Sequence, residues 1–422
     1  MPRHGNPVVL ILAATAAVTL LALVSPAPCA AAPRRDPVVV PVTKDPATSL
    51  YTIPVRYYDN LVVDLTGPLV WSTCAADHLP APISCQDPTC RLANAYLAPT
   101  CKASGGGCSS SSEKVCTAYP YNPVTGQCAA GSLVHTRFIA NTTDGKNPLS
   151  QVSVKAVAAC APKKLLARLP SGATGVAGLA GSGLALPAQV ASSQGVADKF
   201  LLCLPRLGYN HGVAIFGGGP FYLDEGLPEF TSTLEYTPLV TKKDNHAYYI
   251  SVNAIALDDA RLPLPRGALA AAGVVLCTRV PYGLLRPDVF RPFVQAFEKG
   301  LNRSDAKVAA VAPFELCYRS SMLGNTRLGY FVPAVRLMLA GGKNYTMTGT
   351  NSMVDVNRET ACLAFVEMKG VKAGDARSPA VIVGGFQMEN ILLQFDVEKR
   401  RLGFARLPFY TSCSNFNFTK TQ

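Results

Sequence analysis

The sequence predicts a mostly β protein of two β-rich lobes around a central cleft, with few short helices. Three observations carry this reading. The 34 Gly and 33 Pro punctuate many short runs of Val, Ile, Leu and Tyr, the pattern of short strands and turns. Two segments, Leu61-Val-Val-Asp64-Leu65-Thr66-Gly67-Pro-Leu-Val-Trp71 and Gly273-Val-Val-Leu-Cys277-Thr278-Arg279-Val280-Pro-Tyr282, each run from an apolar strand through a polar turn back into apolar residues. A second element also recurs, as Gly175-Val-Ala-Gly178 and as Ala380-Val-Ile-Val383-Gly384-Gly385. With 49% hydrophobic and 16% charged residues among 422, the chain can bury a core in each of two lobes.

The N-terminus places Arg3 and His4 before an apolar stretch from Val8 to Val24 and a small-residue segment ending at Ala32. This predicts a secretory signal over 1–32, since the stretch is shorter than the roughly 20 residues of a spanning helix. A first lobe with a Cys-rich insertion is expected over 33–235 and a second over 236–422, in a soluble, monomeric, secreted chain free of the membrane.

Seven of the 14 cysteines lie between Cys74 and Cys128, a density suited to an oxidising compartment. Zinc is the competing use, but the cluster holds no C-x-x-C pair and only His78 and His135 lie near it, so neither metal nor cofactor is expected. Loss of Cys29 with the signal leaves an odd number. Cys277 is then the candidate free thiol, and Cys74, Cys85, Cys90, Cys101, Cys108, Cys116, Cys128, Cys160, Cys203, Cys317, Cys362 and Cys413 are the candidates for six bridges. Asn141, Asn302, Asn344 and Asn417 begin glycosylation sequons.

The formal charge of +12 is spread without basic runs or interleaved aromatics, which argues against nucleic acid as a partner. An acidic polysaccharide or an acidic protein cleft fits better.

Along the chain, a Pro-rich stretch from Pro33 to Pro46 is expected to lead into strands around Leu50 to Val70. Gly105 to Ser112, rich in Gly and Ser, should form a disulfide-tethered surface loop. Thr117 to Gly126 carries a hairpin signal, and Leu186 to Gln194 reads as a short helix. The run Gly217-Gly218-Gly219 lacks the helix and Lys of a phosphate cradle and reads as a close-packed turn. Val289, Phe290, Phe293, Val294 and Phe297 have helical spacing, predicting a helix from Pro287 to Leu301. Ile391 to Phe404 reads as a hairpin.

These residues resemble the pepsin-type aspartic proteases of plants. Asp64-Leu-Thr-Gly-Pro-Leu-Val-Trp71 lies over D-T-G-S-x-L-x-W, Gly175-Val-Ala-Gly-Leu over G-I-x-G-L, and Phe395-Asp396 with Arg401-Leu-Gly-Phe404 over the closing F-D and R-L-G-F. Val42 to Tyr51, Thr117 to Pro123, Gly183 to Val190, Asn351 to Asp355 and Phe365 to Gly370 are similar, more narrowly, to the cereal xylanase inhibitors of the TAXI type. The resemblance implies a pepsin-like bilobal fold, no proteolysis, and inhibition of microbial endo-xylanases of glycoside hydrolase family eleven in the apoplast or cell wall. It also implies a Cys317–Cys362 bridge.

Aspartic protease chemistry needs two carboxylates sharing one proton. Cys277 stands where the second acid belongs, and a thiol beside Asp64 is a poor acceptor for the proton of the attacking water. By the same alignment Arg279 replaces a Gly and should project into the cleft. Tyr121 takes the flap position, followed by Asn122-Pro123, and Pro123 argues against a mobile flap. Asp64 then reads as a retained buried acceptor. A cysteine protease is disfavoured because none of the five His falls in either turn.

By resemblance, the xylanase-contacting loops map onto Gly324 to Tyr330 and Leu407 to Thr411. This makes Arg327, Leu328, Tyr330, Arg406, Phe409 and Tyr410 the contact candidates. The inhibitors' cleft-inserting His falls on Phe409, which can stack on sugar subsites but cannot pair with carboxylates, leaving that role to Arg327 or Arg406. Inhibition of another glycanase such as a xyloglucanase, carbohydrate binding in the wall, and residual endopeptidase activity are the alternatives.

Overall fold

The computed structural model describes Met1 and residues 35–419, apart from 56–59, 75–80, 96–100, 102–107, 109–113, 207–210, 224–225, 243–244, 271–272 and 409. The expected signal segment and Phe409 therefore lie outside the described residues, as does most of the Gly/Ser-rich loop. Contacts divide the chain into Met1–Arg35 and a compact unit, Asp36–Gln422. Everything below concerns the latter.

The first half contributes β1 (Val38–Lys44), β2 (Tyr51–Pro54), β3 (Asn60–Asp64), β4 (Trp71–Ser72), a long hairpin of β5 (Gly131–Thr143) and β6 (Pro148–Cys160), β7 (Gly175–Gly178), helix α1 (Leu186–Gln194), β8 (Lys199–Cys203) and β9 (Gly212–Phe216). The second half contributes β10 (Glu235–Lys242), β11 (Val274–Leu276), β12 (Gly283–Leu285), helix α2 (Pro287–Leu301), β13 (Val381–Val383), β14 (Ile391–Asp396) and β15 (Arg401–Arg406). The boundary expected after residue 235 falls on the first residue of β10.

The Pro-rich stretch corrects one expectation. Val38–Lys44 is a strand, paired with β9 through Pro41↔Val213. An antiparallel neighbour calls on the N–H of alternate residues only, so a single Pro is tolerated among β-branched valines.

The internal repeat is visible in strand register. β3 runs parallel to β7, with Asp64 opposite Gly178, and β4 returns antiparallel to β7. In the second half β11 runs parallel to β13, with Leu276 opposite Val383, and β12 returns antiparallel to β13. Glycine occupies the same place in each copy for the same reason. A Cβ on Gly178 would lie 2.4 Å from the Gly67 carbonyl oxygen, and one on Gly384 2.5 Å from that of Tyr282. Each crossing brings two backbones too close for any side chain.

The halves are joined by one antiparallel layer ordered β1, β9, β8, β14, β15, β10. A buried carboxylate adds to this seam, since Glu389 accepts from Lys44 at 2.5 Å and from the Tyr51 hydroxyl at 2.8 Å. Helix α2 starts at Pro287 and stops where Asn302 turns left-handed (φ 49°), and it buries Val289, Phe290, Phe293 and Phe297 in the main core. Pro at the first helical position and an αL residue after the last are the expected start and stop chemistry. The Gly217–Gly219 run is a tight turn, with φ of 106° at Gly217 and 80° at Gly218.

Cysteine pairs are Cys74–Cys160, Cys85–Cys108, Cys90–Cys116, Cys101–Cys128, Cys203–Cys413 and Cys317–Cys362. Cys277 is free and buried. Among the described residues, no helix is long and apolar enough to cross a membrane.

Candidate functional site

Asp64 ends β3 and Cys277 follows β11, so the repeated crossings place the two turns face to face. The turns are clasped from one side. The Thr278 hydroxyl donates to the Val63 carbonyl at 2.6 Å and accepts from the Leu65 N–H at 3.1 Å. Leu65 has no hydroxyl with which to reciprocate and is buried in the core instead.

The Asp64 carboxylate is 1% exposed and engaged at both oxygens. Its Oδ1 accepts from the Thr66 N–H at 2.8 Å and hydroxyl at 2.7 Å, and its Oδ2 accepts from the Tyr121 hydroxyl at 3.2 Å. None of these donors is a second carboxyl group. Cys277 faces the same cluster, and burial first, then the Asp64 charge, push its thiol above the ordinary value, with Arg279 opposing. The cause differs in weight from that expected from sequence, where Asp64 alone was invoked: desolvation dominates.

Arg279 is half-buried and turned into this cluster. Burial works against its charge but is outweighed by Cys277, Tyr121 and Asp64, so the guanidinium is held firmly protonated. Burial likewise pushes the Tyr121 phenol up, and the Asp64 charge adds to this. Asp64 lies close enough to favour the charge on Arg279. Beside it the cleft opens into a recess walled by Leu69, Trp71, Leu92, Tyr119, Tyr121 and Leu184.

The Tyr121 turn is fastened rather than hinged. Asn122 is fully buried; its Oδ1 accepts from the N–H groups of Val124 and Thr125, and its amide donates to the carbonyls of Leu165 and Ala167 at 2.8 Å each. The Trp71 indole donates to the Tyr121 carbonyl at 3.1 Å, and Cys128, opposite Tyr121, is bridged to Cys101. The sequence argument rested on Pro123; the structure assigns most of the restraint to Asn122.

In the second half, Asn325–Thr326 and Gly329–Tyr330 form a two-stranded hairpin carrying Arg327 and Leu328 at its tip. The Thr350 N–H donates to the Leu328 carbonyl at 2.9 Å, and the Thr350 hydroxyl lies 3.1 Å from that of Thr348. Arg406, at the end of β15, donates to the Thr348 hydroxyl at 3.1 Å. The Thr348–Thr350 segment therefore brings together the hairpin and the start of the 407–411 loop.

The contact candidates fare differently. Leu328 is 44% and Tyr410 63% exposed, and Arg327 is exposed. Tyr330 is half-buried, its hydroxyl donating to Asp355 at 2.5 Å, so it supports the hairpin from below. Among the glycosylation candidates, Asn302 and Asn344 are exposed, while Asn141 and Asn417 are half-buried.

Residues 51–218 match the family model described as Xylanase inhibitor N-terminal, and 247–406 that described as Xylanase inhibitor C-terminal. The chain belongs to the xylanase inhibitor family. It is 50% identical to a rice (Oryza sativa subsp. japonica) protein named Chitinase CLP, over 94% of this chain and 96% of that one. It is 33% identical to Gamma conglutin 1 of Prunus dulcis, over 91% of this chain and 90% of that one. A crystal structure of edgp superposes with a TM-score of 0.81 at 31% identity, covering 92% of this chain and 100% of that one.

The fold is thus the pepsin-like one that the motifs implied, and the family is one of non-catalytic, protease-like proteins. For this xylanase inhibitor family member, sequence reasoning missed the Thr278 clasp and the Asn122 anchor. A Thr directly after Cys277 was the available signal for the first. A buried Asn has no signal in one sequence, because its acceptors at Leu165 and Ala167 are distant along the chain.

Proposed function

We propose that this protein is a secreted inhibitor of microbial family eleven endo-xylanases, inert as a peptidase, that blocks the xylanase cleft with the 324–330 and 407–411 loops of its second half. The observation that carries the reading is the composition of its own cleft. Asp64 is held by Thr66 and Tyr121, and a buried thiol with a protonated Arg279 faces it where the second acid would be needed. A dyad that shares one proton cannot be assembled from these groups. The xylanase inhibitor profiles matched by both halves and the exposed, basic hairpin point to the partner, and the disulfides fit an extracellular site, the plant apoplast or wall. A monomer is the proposed acting form.

The name of the rice relative raises hydrolysis of chitin as a second reading. Glycoside hydrolysis ordinarily uses two carboxylates about 5 to 9.5 Å apart. Both family models that the chain matches are described as xylanase inhibitors, which favours inhibition over hydrolysis. A different glycanase target, a xyloglucanase or a chitinase, keeps the mechanism and changes only the partner.

One panel separates these readings. Purified mature protein is assayed against family eleven xylanases, a xyloglucanase and a chitinase, and by itself on chitin oligosaccharides and denatured casein. Slowing of a xylanase with no intrinsic hydrolysis is expected. Intrinsic cleavage of chitin, or casein cleavage blocked by an aspartic-protease transition-state analogue, would overturn the proposal.

A further inference from the structure

Phe331 directly follows the candidate hairpin and is 74% exposed, the largest value for a large hydrophobic side chain among the described residues after Met1. Its neighbours Tyr330 and Val332 both pack against the main core. The chain is therefore fixed on either side of Phe331 while the ring itself faces out.

The backbone beneath is rigid. The Phe331 N–H donates to the Gly324 carbonyl at 2.7 Å, and the Val332 N–H to that of Tyr330 at 2.9 Å. The Thr326 hydroxyl donates to the Gly329 carbonyl at 2.8 Å. Gly329 has φ of 85°, and a Cβ there would come within 2.4 Å of the Thr350 nitrogen, so the hairpin lies directly on that segment. A large apolar side chain exposed on a preorganised backbone loses little freedom on binding, and most of its buried area counts toward affinity.

The surroundings are basic. Arg319, Arg327, Arg358 and Arg406 are exposed on the hairpin and the segments around it, with Arg206 paired to the buried Glu389, against the exposed carboxylates Asp355 and Glu359. Asp355 already accepts from Tyr330. Polysaccharide hydrolases present the complement, a groove with carboxylates at its centre and aromatic walls that stack on sugar rings.

We propose that Phe331, with the exposed Leu328 of the adjoining hairpin tip, is the apolar anchor of the inhibitory surface and occupies an aromatic-walled sugar subsite in the acidic groove of the target hydrolase. The arginine rim steers the approach, and Phe331 sets how long the complex lasts. This rests on the inhibitor reading above and adds a residue that the family alignment did not single out.

The test is inhibition of a family eleven xylanase found sensitive in that panel, with binding kinetics by surface plasmon resonance. Phe331→Ala should weaken inhibition about 10-fold or more through faster dissociation, as loss of a hot-spot aromatic does. Phe331→Trp should stay within about threefold of wild type, and thermal midpoints should be unchanged because the side chain is in water. Val240→Ala, an exposed apolar change on β10, should have no effect. Unchanged inhibition by Phe331→Ala, or an equal loss in Val240→Ala, overturns the anchor while leaving the inhibitor reading intact. A Phe331→Ala protein that inhibits normally but no longer self-associates in size-exclusion chromatography would make the ring a contact between copies and also overturns it. Failure of the wild-type chain to slow any hydrolase in the panel removes both.

Discussion

Thr278 donates to the Val63 carbonyl at 2.6 Å and accepts in return from the Leu65 N–H at 3.1 Å, so one hydroxyl locks the second-half turn onto the first. Leu65 cannot answer with a hydroxyl of its own. A clasp made from one side leaves no redundancy.

Thr278→Val should therefore be costly for its size. It strands a buried carbonyl and a buried N–H, worth about 1 to 3 kcal/mol. Chemical denaturation should show a lower midpoint with unchanged slope, and Thr278→Ser should recover most of the loss. Equal stability of the Val variant would remove the clasp from the account.

The Cys277 thiol should be silent in the native protein. Burial raises its pKa, so the nucleophilic thiolate is scarce at pH 8, and reagent cannot reach it. A chromogenic thiol reagent should register about one thiol per mature chain only after unfolding without reductant, and none in Cys277→Ser. Rapid reaction in the folded state would contradict the buried placement.

Restoring an acid at the degenerate position should not restore proteolysis. In Cys277→Asp the two carboxylates would flank Arg279, whose fixed positive charge favours both in ionised form and so removes the shared proton. Incubation with denatured casein across acidic pH should yield no fragments. Cleavage by the single variant would mean that the missing acid was the whole block.

Asn122→Ala should loosen the Tyr121 turn. It removes two donors to Leu165 and Ala167 and the acceptor of two turn N–H groups, a loss of about 2 kcal/mol or more by the usual cost of unmade buried hydrogen bonds. Hydrogen exchange at Val124 and Thr125 should accelerate first. Unaltered protection there would shift the restraint to Pro123 and the Cys101–Cys128 bridge.

Asp288 supplies a pH dependence with a defined sign. Its carboxylate is paired two-fold with the buried Arg286, at 2.6 and 2.8 Å, and that hydrogen bonding holds its pKa below the ordinary value. The folded state thus binds this proton less readily than the unfolded chain. The stabilisation is complete above the unfolded pKa of about 3.9 and disappears as pH falls through the lower folded value. Asp288→Asn should cost about 1 to 3 kcal/mol near neutrality, because Arg286 keeps the carbonyls of Ala268, Asp375 and Ser378 as acceptors, and the gap to wild type should narrow below about pH 4. A pH-independent gap would separate the effect from this ion pair.

Much of the architecture was legible because strands and turns are written locally. The α1 and α2 boundaries follow from Pro at the start, apolar spacing, and an αL residue at the stop. The repeat emerged because each half must bring a strand, a turn and a glycine to the same crossing. Pro33 to Pro46 misled, since tolerance of Pro41 depends on the register of its pairing with β9, which is far along the chain.

By itself, the sequence determined the β-rich plan of two similar halves, a Cys at position 277 in the second of two similar turns, and the family. These are properties of residue type and spacing, which local propensity and covalent chemistry impose wherever the chain goes. The tertiary structure alone decided which groups surround Asp64, that Asn122 rather than Pro123 chiefly pins the turn, and that Phe331 faces water while Tyr330 and Val332 are anchored. Each of these depends on partners brought together from distant segments, and only packing determines which of several chemically able side chains reaches a buried oxygen first.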